Sequence, residues 1–231
     1  MGFQKKDFIE IEFTGKIKNG DIFDSNIKKD IEQADLRVPA KPFVFPLGEG
    51  MFLKSIDEFL IGKEAGKNYH LDLSAKDAFG ERDVKLIQLI PAQVFREHKL
   101  NPIPGAMFNF DGRIAKVLSV SGGRVRADFN NPIAGKDVEY DIRVLRKVDS
   151  ITEKVNAFNE FLFRKAFKFE VKEKKLILEV EKPLVKFVEL FKEKYKEIFG
   201  LELEVKEIAV KAKEEEVSEK SEPKEPEKTN S

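Results

Sequence analysis

The chain has 231 residues, enough for a sizeable core and for one to three domains. Its 42 lysines and arginines balance 42 aspartates and glutamates, so no net field draws in nucleic acid or an anionic membrane. The absence of cysteine excludes a disulfide framework, thiolate catalysis and cysteine metal sites, and no uninterrupted apolar run reaches the roughly 20 residues of a membrane helix.

Met1 to Lys6 lead into an alternating strand rather than an apolar leader, which points to a cytoplasmic protein. Ile9, Ile11 and Phe13 share one face of that strand, with Glu10 and Glu12 on the other. Asn19-Gly20 is a hairpin turn, and the returning strand sets Phe23 directly before Asp24, a lone carboxylate beside aromatics. Phe52, Ile56, Phe59 and Leu60 recur at helical spacing until Gly62, so residues 1–85 follow an α+β pattern around one helix. From Leu86 the signal becomes short β-branched runs over residues 113–120 and 124–129, separated by Ser121-Gly122-Gly123. Alternation resumes over residues 138–148. A small β module, 86–136, is therefore expected inside a discontinuous host domain of residues 1–85 plus 137–149.

Ser150-Ile151-Thr152-Glu153 is a capping box and predicts a helix start. Val155, Phe158, Phe161, Leu162 and Ala166 form its apolar stripe. Strands are expected at 168–171 and 176–180, a second helix from Pro183 to Gly200, and a last strand over 201–210. Residues 150–212 thus read as an αββαβ domain. Phe158, Phe161, Phe163 and Phe167 exceed what one face of so small a domain holds, which argues for a homodimer through it. Residues 213–231 are Glu, Lys, Ser and Pro with few apolar partners, and are expected to be disordered.

Three segments carry a resemblance when taken together: Phe13-Thr14-Gly15 through Phe23-Asp24; Pro42-Phe43-Val44-Phe45-Pro46-Leu47-Gly48 through Phe52-Leu53-Lys54-Ser55-Ile56; and Asp77-Ala78-Phe79-Gly80. Followed by Tyr140-Asp141-Ile142, they resemble the FKBP family of peptidyl-prolyl cis-trans isomerases. The interruption after Gly80 resembles the insert-in-flap domain of the SlyD-like branch, and the C-terminal module its long archaeal members. The resemblance implies a half-barrel antiparallel sheet around one helix and action on proline-containing or unfolded polypeptides. It implies a pocket lined by Phe13, Phe23, Phe43, Phe52, Leu53, Ile56 and Tyr140, with Asp24 and Phe79 catalytic and the Leu53 amide bonding a substrate carbonyl. Rotation about X-Pro makes and breaks no bond, so no nucleophile, metal or cofactor is called for. The chain departs from small family members in having Ile56 for a tryptophan floor, Phe13 and Phe79 for two tyrosines, and Ser55 for a glycine.

Leu100, Ile103, Met107, Phe108 and Phe110 crowd a segment with Pro102 and Pro104. They are either a surface that holds unfolded chains over the pocket, as the resemblance implies, or the module's own core. Two rival functions remain open: a holding chaperone without isomerase activity, and an RNA-binding module built on Arg96, Lys99, Arg113, Lys116, Arg124, Arg126 and Lys136. The second lacks an evident base-stacking aromatic pair, which weighs against nucleic acid. His70 and His98 have no metal-ligand spacing in the sequence, so no metal is expected.

Overall fold

A computed structural model of the chain describes residues 2–209. The expected charged tail at 213–231 and the end of the last expected strand lie outside the described residues. In chain order the elements are β1 (Phe8–Ile17), β2 (Ile22–Ser25), α1 (Lys28–Gln33), β3 (Phe43–Pro46), α2 (Lys54–Leu60), β4 (Asn68–Leu73), β5 (Ile87–Pro91), α3 (Ala92–Glu97), β6 (Met107–Phe110), β7 (Arg113–Ser121), β8 (Arg124–Asp128), β9 (Val138–Val148), α4 (Ile151–Phe163), β10 (Lys168–Lys172), β11 (Lys175–Glu181), α5 (Val185–Glu189), α6 (Lys192–Phe199) and β12 (Glu202–Ile208). The class is α+β. Two compact units divide the described residues, the first ending at Ala166 and the second beginning at Phe167.

The first unit holds two sheets. In the larger, β1 is flanked by β9 along its whole length, while β3 pairs with its first half and β2 with its second; β4 completes the sheet beyond β9. All these pairs are antiparallel. The alternation that marks β1 is a consequence of this position: Ile9, Ile11 and Phe13 are buried, while Glu10 and Glu12 are half-exposed and pair with Arg146 and Arg143. Asn19 takes a left-handed φ of 58°, and the Gly20 amide donates to the Ile17 carbonyl at 2.8 Å, closing the β1–β2 hairpin. Ile56 and Leu60 of α2 are fully buried.

The smaller sheet has the order β5-β8-β7-β6 and is built from the interrupting segment. Helix α3 supplies its core: Ala92 and Phe95 pack with Val117 and Val125, and Phe108 and Phe110 stand edge-on to Phe95 at ring distances of 5.3 and 5.5 Å. The two crossings between the sheets are stitched together. The Ala75 amide donates to Asp137, the Gly135 amide to the Gly80 carbonyl at 2.8 Å, and the Asp83 amide to Asn130, whose own amide returns to the Asp83 carbonyl. Arg82 pairs with the buried Asp128.

The capping box forms in part: Ser150 accepts from the Glu153 amide, but the Glu153 carboxylate turns to Arg146 instead of back to the cap. Helix α4 therefore falls in the first unit rather than opening the second. Its Phe161 lies 6.4 Å from Phe43 of β3, and Glu160 pairs with Lys41. Phe158 and Phe167 are buried and Phe161 meets Phe43, so the count of phenylalanines loses its force as an argument for a dimer. The second unit has the order β10-β11-β12, with β11 and β12 parallel and joined through a 3-10 turn, α5 and α6. The single helix expected up to Gly200 is interrupted at Leu190-Phe191.

Phe95 is 1% exposed and holds the smaller sheet to α3. Phe95→Ala should cost about 3–5 kcal/mol there. Hydrogen exchange is expected to lose protection in β6 to β8 while β1 and β9 stay protected; equal loss in both sheets would show that they unfold as one.

Candidate active site

The centre of the larger sheet brings three strands to one point. Gly15 on β1 sits opposite Asp24 on β2 and opposite Tyr140 on β9. A Cβ on Gly15 would stand 2.8 Å from the Tyr140 ring, closer than packed atoms tolerate, and a tight 3.1 Å from that of Phe23. Glycine thus lets the tyrosine lean across the central strand. Tyr140 is buried, with Phe23 and Phe52 edge-on at 5.8 Å and Phe13 at 6.2 Å. Phe79 stands edge-on to Phe23 at 5.4 Å, and Phe52 reaches Phe13 at 4.9 Å and Phe43 at 5.8 Å. Burial first, and the nearby Asp24 charge second, oppose ionisation of the Tyr140 hydroxyl and keep it a proton-bearing donor.

Asp24 is the carboxylate of this aromatic group. Burial pushes its pKa up from the ordinary aspartate value, and a hydrogen bond from the Ser25 backbone amide partly opposes the rise. Its strand is fixed by polar groups that reach back to β1. The Asn26 side chain accepts from the Phe13 amide at 2.8 Å and donates to the Ile11 carbonyl at 2.9 Å, and the Ser25 hydroxyl donates to the Phe13 carbonyl. Phe13 is therefore held on both its backbone groups. Thr14 donates to Asp30 of α1.

The aromatics expected from the sequence come together, with Phe45 added: it stacks on Phe43 at 4.9 Å and touches Phe52. Ile56 is fully buried, and Leu53 is a half-exposed residue at the N-terminal cap of α2. Ser55 lies within α2, where the backbone is helical and a serine in place of glycine meets no left-handed strain. Its hydroxyl donates to the Asp77 carbonyl at 2.6 Å and ties α2 to the turn that carries Phe79. Asp57 escaped sequence reading. It is buried, and its carboxylate accepts from the Gly48 and Gly50 amides at 2.6 and 3.1 Å, pinning the loop that delivers Phe52 and Leu53. Its signal was an acidic residue within the buried stripe of a helix. Burial raises its pKa, against the pull of those amides.

In the smaller sheet the expected apolar residues separate. Leu100, Ile103 and Met107 are exposed, Ile103 and Met107 by more than half. Phe108 and Phe110 turn to Phe95 and serve the module's core. Leu89 and Ile114, not foreseen, are also exposed; Leu89 pairs with Arg126 and Ile114 with Asn109 on the sheet. Among the described residues no helix is long and apolar enough to cross a membrane.

A family model described as FKBP-type peptidyl-prolyl cis-trans isomerase matches residues 2–97, and one described as FKBP26, IF domain, matches residues 88–133. The chain is 27% identical over 144 residues to a short-type peptidyl-prolyl cis-trans isomerase of Methanocaldococcus jannaschii, covering 61% of this chain and 91% of the relative. It is 28% identical over 147 residues to the FKBP-type 16 kDa peptidyl-prolyl cis-trans isomerase of Escherichia coli, covering 62% and 91%. It is 22% identical over 138 residues to the FKBP-type isomerase SlyD of Aeromonas hydrophila, covering 59% and 60%.

A carboxyl whose pKa is raised by folding is disfavoured when charged. Its cost is absent well below the unfolded pKa, grows as pH rises toward the folded value, and is complete above it. Asp24→Asn should therefore match wild type in urea unfolding near pH 3 and exceed it at pH 7. A wild type at least as stable at pH 7 would contradict burial as the cause.

Proposed function

The chain belongs to the FKBP-type family of peptidyl-prolyl cis-trans isomerases, which act on proline-containing polypeptides, and from that premise we propose that rotation takes place in the aromatic pocket around Tyr140. The observation that carries this reading is the convergence of Phe13, Phe23, Phe52 and Phe79 with Tyr140 beside one desolvated carboxylate. The barrier to X-Pro rotation is about 18–20 kcal/mol because the amide loses resonance as it twists. Water stabilises the planar, charge-separated form. A proline ring among phenylalanines leaves that water behind, which lowers the planar state's advantage, and catalysis then needs only groups that favour the twisted amide.

In this reading Phe13, Phe23, Phe43, Phe52, Ile56, Phe79 and Tyr140 hold the proline, Asp24 acts on the carbonyl as it leaves the plane, and the Leu53 amide binds a substrate carbonyl. Support for fixed positions comes from the Asp57 and Ser55 hydrogen bonds, which hold both ends of the segment carrying Phe52 and Leu53. The smaller sheet is the flap insert. Its exposed Leu100, Ile103 and Met107 bind unfolded chains and present their prolines to the pocket, a role favoured by apolar side chains left without cover on a short module. We read the protein as one of the SlyD-like branch, a reading supported by the match of residues 88–133 to an IF domain.

Asp24→Ala should lower tetrapeptide turnover at least about tenfold, equivalent to ~1.4 kcal/mol of barrier. A protease-coupled assay measures this, and unchanged turnover removes Asp24 from the mechanism.

Deleting residues 82–133 would join Glu81 to Ala134 and turn the existing bond from the Gly135 amide to the Gly80 carbonyl into that of a four-residue β-turn. Short-peptide turnover should survive, while proline-limited refolding of a whole protein, which otherwise takes tens of seconds or more, should slow. Equal refolding catalysis by both forms would rule out a flap role.

A further inference from the structure

On the face of the larger sheet opposite Tyr140, strands β4 and β9 bring together four side chains that sequence spacing keeps apart. His70 lies directly opposite Asp141, and Asp72 directly opposite Glu139. Residues two apart on a strand share a face, and opposed pairs on antiparallel strands are close enough for their side chains to meet. The ligand atoms of His70, Asp72 and Glu139 all lie within 4.8 Å of one another.

The imidazole is oriented. Its Nδ1 lies 2.8 Å from the Asp141 carboxylate, which leaves Nε2 facing Asp72 at 3.6 Å. A carboxylate gripping one ring nitrogen while the other faces further ligands is the arrangement that fixes tautomer and ring angle in protein metal sites. This distinguishes the group from a patch of acidic residues. Side-chain exposure at His70 and Asp72 is about half, so a hydrated ion reaches them without unfolding.

We propose that His70, Asp72 and Glu139 bind a divalent transition-metal ion, with Asp141 as the residue that orients His70. One nitrogen and two carboxylate oxygens, with the remaining positions open to water, suit zinc, cobalt or nickel better than magnesium or calcium, which take oxygen ligands. Two lysines sit on carboxylates of the group: Lys18 on Asp72 Oδ1 at 3.1 Å, the oxygen turned away from His70, and Lys16 on Asp141 Oδ2 at 3.1 Å. An ion held by Asp72 Oδ2 is opposed by the Lys18 charge on the same carboxylate. Because Glu139 and Asp141 flank Tyr140 on β9, a bound ion clamps β4 to the strand that carries the pocket tyrosine.

The test uses the full chain, stripped with chelator and titrated with zinc chloride by calorimetry, with thermal melting in parallel. Wild type should bind one equivalent and melt higher with zinc, as any ligand of the folded state requires. His70→Ala should lose stoichiometric binding, and Asp141→Asn should bind about 10- to 100-fold more weakly. Lys18→Ala should bind more tightly, and His98→Ala as wild type does. The substituted side chains are exposed or half-exposed, so melting without zinc should change little and separates lost binding from lost fold. The proposal fails if wild type takes up no stoichiometric zinc, if His70→Ala binds as wild type does, or if Lys18→Ala gains nothing.

Discussion

Because Gly15 has no Cβ, the ring of Tyr140 crosses the central strand of the larger sheet and reaches Phe23 on the far side. The aromatic group depends on that crossing. An alanine would hold the ring off by its Cβ and part Phe23 from Tyr140, and with them the surfaces on which Phe13, Phe52 and Phe79 rest. It is this crowding of rings that desolvates Asp24 and the Tyr140 hydroxyl. The desolvation of this aromatic group thus begins with a missing methyl group on one strand.

Much of this was legible in the sequence because it rests on local periodicity. The alternation of Ile9, Ile11 and Phe13, the Asn19-Gly20 turn, the return of alternation at Val138 and the turn at Gly122-Gly123 each state a strand or its end without reference to the rest of the chain. The aromatics gathered around Tyr140 were named through family resemblance rather than periodicity. What could not be read depends on partners distant in sequence. Helix α1 has one buried residue, Ile31, and so no period to detect. The capping box announced α4 correctly but not which sheet it joins, since that is decided by Phe161 meeting Phe43 more than a hundred residues away. Phe108 and Phe110 stayed open between surface and core because α3, with Phe95 to cover them, was not foreseen. The alignment of His70 with Asp141 exists only in the register of β4 on β9.

The site also shows stability given up for position. Asp24 and Asp57 both have pKa values raised by burial, so both cost the fold something at neutral pH. For Asp57 the return is visible, since two loop amides are bound by its carboxylate. Asp24 accepts from the neighbouring Ser25 amide and has no comparable loop to hold. A charge retained at such a place is better understood through its action on a ligand than through the fold it burdens.

The hydrogen bond from Gly135 to Gly80 has a further consequence. The two ends of the inserted module leave the host within a single bond's reach and are braced there by Asn130 and Arg82. For a polypeptide seated on the insert, the pocket is then at the far end of a short tether instead of at large in solution. Its local concentration of prolines is set by the length of that tether, at around millimolar for short linkers, whatever the amount of client in the medium. Under the proposed reading, weak grip on the insert suffices, and weak grip lets a chain go once its proline has turned.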